Sequence, residues 1–165
     1  MPAGPGPAVW SRRARTEVAR AVRGAARDAG SNRPLTELVG IRASQIDGCA
    51  SCPDVHVRAA VRGKEPLQRI AVLSACGDTG LFAPDERAAV VLTASLTVFP
   101  TPYPGPGPRR SVRHLISEQT SAVAWAVLTI HAISRVPVVS RHTVPSRAVA
   151  APPVVRPESP QEGPA

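Results

Sequence analysis

Aromatic side chains are almost missing from this 165-residue chain, at 3 per cent, and so is lysine: of twenty lysines and arginines, only Lys64 is a lysine. The shortage of aromatics removes the surface on which nucleic-acid bases stack. The formal net charge is +8 and the pI about 11.1, but the arginines are scattered among acids rather than gathered in one block, which argues against a nucleic-acid partner held through its phosphates. A membrane-spanning run is lacking too, because the longest apolar stretch, "AVAWAVLTI" at 122–130, stops at His131. Nor do Arg12, Arg13 and Arg15 lead into an apolar stretch of signal-peptide length; the polar-studded "TEVARAVRGAARDAG" follows them. The expectation is a cytoplasmic chain with no membrane partner. In that compartment thiols are kept reduced, so the close pair among its three cysteines points to catalysis or metal binding rather than to a structural staple.

Proline is plentiful but unevenly placed. Of nineteen, only Pro53, Pro66 and Pro84 lie between Leu35 and Phe99. Repeated proline removes backbone donors and blocks helix interiors, so the compact part belongs to the proline-poor middle and to any flank with strong periodicity. Apolar residues at helical spacing predict helices over 12–29, from Pro34 to Ile46, over 50–62 with Gly63 as the cap, from Pro66 to "CGDTG", from Pro84 to Leu96, and from Ser117 to about Arg135. No strand pattern appears. The reading is an all-α, compact helical bundle over 12–136, with a disordered lead-in at 1–11, a stiff proline-rich loop at 99–111 and a disordered tail at 137–165. The last helix is apolar nearly all round, which suits a central or subunit-facing position.

The chemistry gathers in "QIDGCASCPDVH" at 45–56. Residues three and four apart on a helix share a face, so Cys49, Cys52 and His56 project to one side if a helix begins near Cys49. Two sulfurs so placed can close a small disulfide ring, and the amide hydrogens of a helix N-terminus favour a thiolate. His56 can relay a proton to or from the pair, with Glu37 on the preceding helix as its base. Cys76 reads as a buried free thiol; alternatively it completes a Cys3His zinc site with Cys49, Cys52 and His56. His114 and His131 read as a loop and a core histidine without a role.

These residues carry a resemblance. "TELVGIRASQIDGCASCPDVHVRAAVRGK" and "RIAVLSACGDTGLFAPDERAAVVLTASLT" resemble the carboxymuconolactone decarboxylase superfamily, specifically its AhpD-like alkylhydroperoxidase branch, over residues 35–97. That branch is marked by a glutamate, a Cys-x-x-Cys twelve positions on, and a histidine four positions after the second cysteine; Glu37, Cys49, Cys52 and His56 stand at those spacings. The resemblance implies a helical homo-oligomer, trimer or hexamer, that reduces hydroperoxides through the dithiol and is regenerated by an external thiol, with no metal or organic cofactor. It implies Cys52 as the attacking thiolate, Cys49 as the resolving thiol, and His56 and Glu37 as proton carriers. The decarboxylases that name the superfamily lack the cysteine pair. Pro53 stands after Cys52 where relatives carry an aliphatic residue, and "HAISR" at 131–135 stands where they read "NAWNR".

Overall fold

The computed structural model describes residues 7–98 and 112–139, with side chains over 13–98 and 112–136. The expected lead-in before Pro7, proline-rich loop at 99–111 and tail from 140 lie outside the described residues. Six α-helices are present among them: α1 (Pro7–Asp28), α2 (Arg33–Ile46), α3 (Ser51–Arg62), α4 (Leu67–Ala71), α5 (Pro84–Thr97) and α6 (Ser117–Val139), with 3-10 turns at Leu73–Asp78 and Val112–His114. The described residues contain no strand, so the all-α reading holds.

Three helices end in the same device. At the ends of α1, α2 and α3 the chain enters the left-handed region at Gly30 (φ +76°), Gly48 (φ +68°) and Lys64 (φ +64°). Two backbone bonds then close each end in the six-to-one and five-to-two pattern. Gly63, expected to be the cap of α3, has φ −77°, and the left-handed position falls one residue later on Lys64, which tolerates it less well than glycine. At the start of α2, Asn32 Oδ1 accepts the Leu35 N–H at 2.8 Å, and Pro34 needs no donor there.

Other boundaries differ from the periodicity. α1 starts at Pro7, inside the expected lead-in, because proline's fixed φ suits a first helical position. α6 runs on to Val139 although Pro137 removes a donor. The helix expected from Pro66 breaks after one turn: Ala75 leaves helical angles (φ −111°, ψ 30°) within the 3-10 segment. Leu73 and Cys76, on either side of that kink, are both buried.

α2 is the centre of the bundle, packed against α3, α5 and α6, with α1 lying on α6. Its two faces feed two cores. Leu35 and Val39 join Leu92, Val123 and Val127 across α5 and α6; Leu38 and Ile41 join Leu73, Phe82 and Val90 on the other side. Each such side chain stabilises the fold by about 1.5–3 kcal/mol on burial. Outside the cores, Arg69 ties α4 to α5: it pairs with Glu65 at 2.9 Å and Glu86 at 2.7 Å and stacks over the Phe82 ring. Because α2 packs against three other helices, groups projecting from it can reach α3, α5 and α6.

Candidate active site

The dithiol sits where α2 hands over to α3. Asp47 is the C-cap of α2, Gly48 takes the left-handed position, and the Cys49 N–H returns to Ser44 O at 3.3 Å. That turn fixes where Cys49 points. Cys49 and Cys52 are joined as a disulfide with Cα atoms 5.6 Å apart, and both are buried, 2 and 8 per cent exposed. Ser51 Oγ lies 3.5 Å from Cys49 Sγ. The helix accommodates Pro53: it is the third residue of α3, where an amide hydrogen has no partner within the helix, and Cys52 before it remains helical.

His56 follows Cys52 by one turn of α3, so the two share a face. Its Nδ1 lies 2.8 Å from Glu37 Oε2 on α2, and the carboxylate is almost fully buried. With the carboxylate accepting, Nδ1 carries the hydrogen and Nε2 is left to exchange a proton. The approach depends on a residue that the sequence pattern does not single out. A Cβ at Gly40 would lie 2.5 Å from His56 Nδ1 and 2.6 Å from its Cε1, so only glycine lets the ring lie flat on α2, one turn from Glu37. The structure thus forms two pairs between α2 and α3, the Cys49–Cys52 disulfide at their junction and Glu37 with His56 where the two helices pack.

A second carboxylate–imidazole pair was missed. His131 Nδ1 on α6 is 2.8 Å from both oxygens of Asp47, and Arg135 Nη1 donates to Asp47 Oδ1 at 3.0 Å. The clue in the sequence is faint: an aspartate before the Gly-Cys turn, and His131 and Arg135 one helical turn apart. His131 is a core-facing histidine as expected, but a partnered one.

Cys76 stays apart from the pair, within the core that holds Leu38, Leu73 and Phe82. Burial pushes its thiol above the usual value of 9.0, with the nearby Arg42 and Arg87 pulling weakly the other way. It is therefore a poor nucleophile at neutral pH. Among the described residues no group of three or more histidines, cysteines and acids is placed to hold a metal ion, so the four candidates for a Cys3His zinc site are not gathered into one. No described helix is long and apolar enough to cross a membrane.

Comparison with known proteins bears on the same region. The sequence model of the carboxymuconolactone decarboxylase family matches residues 13–94. YdfG of Bacillus subtilis, an uncharacterized protein, is 40% identical over 70 residues, which is 42% of this chain and 48% of that protein. The matched stretch thus spans about half the length of that relative. A crystal structure from Agrobacterium tumefaciens, of a protein of unknown function proposed as the antioxidant defence protein AhpD, superposes with a TM-score of 0.68 over 80% of this chain and 90% of that one, at 24% identity. It shares the helical fold.

Proposed function

We propose that this chain, which belongs to the carboxymuconolactone decarboxylase family, is a thiol-dependent hydroperoxide reductase of the AhpD-like branch. One helical domain over 12–136 carries the chemistry, and the cytoplasm supplies the reductant. The observation that carries the reading is the Cys49–Cys52 disulfide with a glutamate-held imidazole one turn along α3.

In the reaction, His56 takes the Cys52 proton and the Cys52 thiolate attacks the outer oxygen of the hydroperoxide. The O–O bond breaks, Cys52 becomes a sulfenic acid, and the alkoxide leaves as the alcohol after receiving a proton. The Cys49 thiol then attacks the Cys52 sulfur, water departs, and the disulfide forms. Two external thiols, or one dithiol, reduce it and leave as a disulfide. Glu37 holds the His56 ring and accepts its Nδ1 hydrogen throughout, stabilising the imidazolium that forms when Nε2 takes the thiol proton.

A homo-oligomer, trimer or hexamer, fits the outer face of α6. Trp125 is 60 per cent exposed there, with Leu128 and Val136 following at helical spacing, and an apolar stripe of this kind suits burial against another copy.

The test is a thiol titration of the reduced protein before and after one equivalent of tert-butyl hydroperoxide, with mass mapping. Two thiols are expected to disappear as a Cys49–Cys52 disulfide while Cys76 stays free. Cys52→Ser should abolish turnover, and Cys49→Ser should stop after one attack with a trapped sulfenic acid. Thiols that react no faster than free cysteine would sink the reading.

A further inference from the structure

The closing turns of α1, α2 and α3 follow one pattern, yet the turn that carries the dithiol is held differently. At the end of α1 its two backbone bonds are both 2.9 Å, and at the end of α3 they are 2.9 and 3.0 Å; at the end of α2 both are 3.3 Å. The turn of α2 thus has the longest main-chain bonds of the three. It is also distinguished by its C-cap side chain: Ala29 and Gly63 occupy that place after α1 and α3, Asp47 after α2. Asp47 is anchored to α6, an element distant in sequence, by the two short contacts to His131 and one to Arg135.

The two anchors are not equal. The Arg135 side chain is 65 per cent exposed, whereas that of His131 is 14 per cent and that of Asp47 4 per cent exposed. An exposed ion pair contributes little, so the buried His131–Asp47 bond is the one that holds. A carboxylate can only accept, so His131 Nδ1 donates. His131 Nε2 is buried without a partner, and the orientation of the ring therefore rests on Asp47.

We propose that Asp47 and His131 are positioning residues for the Cys49–Cys52 couple: the hydrogen bond between them holds the turn that carries Cys49 against α6 and so favours closure of the disulfide. Two thiols held at bonding distance close more readily than two on a loose turn, because less freedom is lost on closure. The inference rests on the dithiol reading above and adds to it a support on α6. The bond does not require a charged ring, since a neutral imidazole also donates from Nδ1, though less strongly than an imidazolium.

The test equilibrates the full chain with reduced and oxidised glutathione, the exchange in which dithiol plus glutathione disulfide gives the Cys49–Cys52 disulfide plus two glutathione thiols. Mass labelling reads the fraction closed. His131→Leu and Asp47→Ala should each lower the equilibrium constant about tenfold, a shift of ~30 mV toward easier reduction. The double variant should fall no further than either single one, because both remove the same bond. His131→Asn, whose side-chain amide nitrogen occupies the place of Nδ1, should stay near the wild-type value.

Unchanged closure in His131→Leu, loss in His131→Asn equal to that in His131→Leu, or multiplying effects in the double variant would each overturn the proposal. So would parallel opening of buried Cys76 to alkylation in the variants, which would place the effect in the core. A wild-type chain that forms no Cys49–Cys52 disulfide in this buffer would overturn the dithiol reading as well, and is told apart because it needs no substitution.

Discussion

α2 carries two carboxylate–imidazole pairs of the same length, 2.8 Å, one reaching α3 through Glu37 and His56 and the other reaching α6 through Asp47 and His131. They differ in reach and in surroundings. The first spans nineteen positions, between consecutive helices, and needs a missing side chain at Gly40 to exist; the second spans 84 positions and has an arginine beside it. The first presents an imidazole on the face of Cys52, while the second braces the turn that holds Cys49. On the roles proposed above, the two sulfurs of one couple are served by different parts of the fold, one by a proton carrier and one by a clamp.

The sharpest way to break that division is at Gly40. Gly40→Ala puts a methyl group 2.5 Å from His56 Nδ1, and a ring that must move away loses Glu37. Peroxide-dependent thiol loss should slow by about 100- to 10,000-fold, the usual contribution of a positioned proton carrier. The disulfide equilibrium with glutathione should change far less, since the clamp on α6 is untouched. Some cost in stability, about 1–3 kcal/mol by overpacking, should accompany it and shows in denaturant unfolding. Stopped-flow thiol assays check the first point, and a rate that survives would dissolve the distinction between carrier and clamp.

Glu37→Gln asks less of the structure. The amide oxygen can still accept from His56 Nδ1, so the ring should stay in place and stability should change little, while the negative charge that favours imidazolium is gone. Peroxide attack should slow by about 100-fold, the lower end of the range for such a group, with the loss easing as pH rises and the cysteine thiol ionises without help. Equal rates for wild type and Glu37→Gln across pH would reduce Glu37 to a packing residue.

The difference between the pairs also explains what the sequence could reveal. Glu37, Cys49, Cys52 and His56 fall within twenty positions on adjacent helices, so helical periodicity and a familiar spacing suffice to propose that they meet. Gly40 escaped notice because its importance lies in the ring packed on it, and periodicity carries no record of a side chain from another helix. Asp47 stands before a glycine, as a turn former does, and it caps α2; nothing local announces that its carboxylate crosses to His131. The broken helix at Leu73–Asp78 was equally hidden, because "LSACGD" is acceptable at either helical pitch and carries no proline to mark the kink at Ala75. Lys64 misled by its neighbour: Gly63 is the obvious stop, and the strain fell on the residue after it.

That last position gives the smallest effect and the cleanest control. A non-glycine residue in the left-handed region costs roughly 1–2 kcal/mol, against about 0.5–1 kcal/mol for the extra freedom glycine brings to the unfolded chain. Lys64→Gly should therefore stabilise the fold by roughly 1 kcal/mol, or about 3 °C in Tm for a chain of this size. The position lies past the far end of α3 from the dithiol, about 18 Å away at the helical rise of twelve residues. It firms the helix that bears His56 without touching Glu37, Gly40 or the Asp47 turn. Calorimetry should record the gain while the peroxide rate and the glutathione equilibrium both stay as they were. If the peroxide rate shifts with the melting temperature, the His56 pair depends on how firmly α3 is closed, and it then differs from the Asp47 pair in rigidity as well as in role.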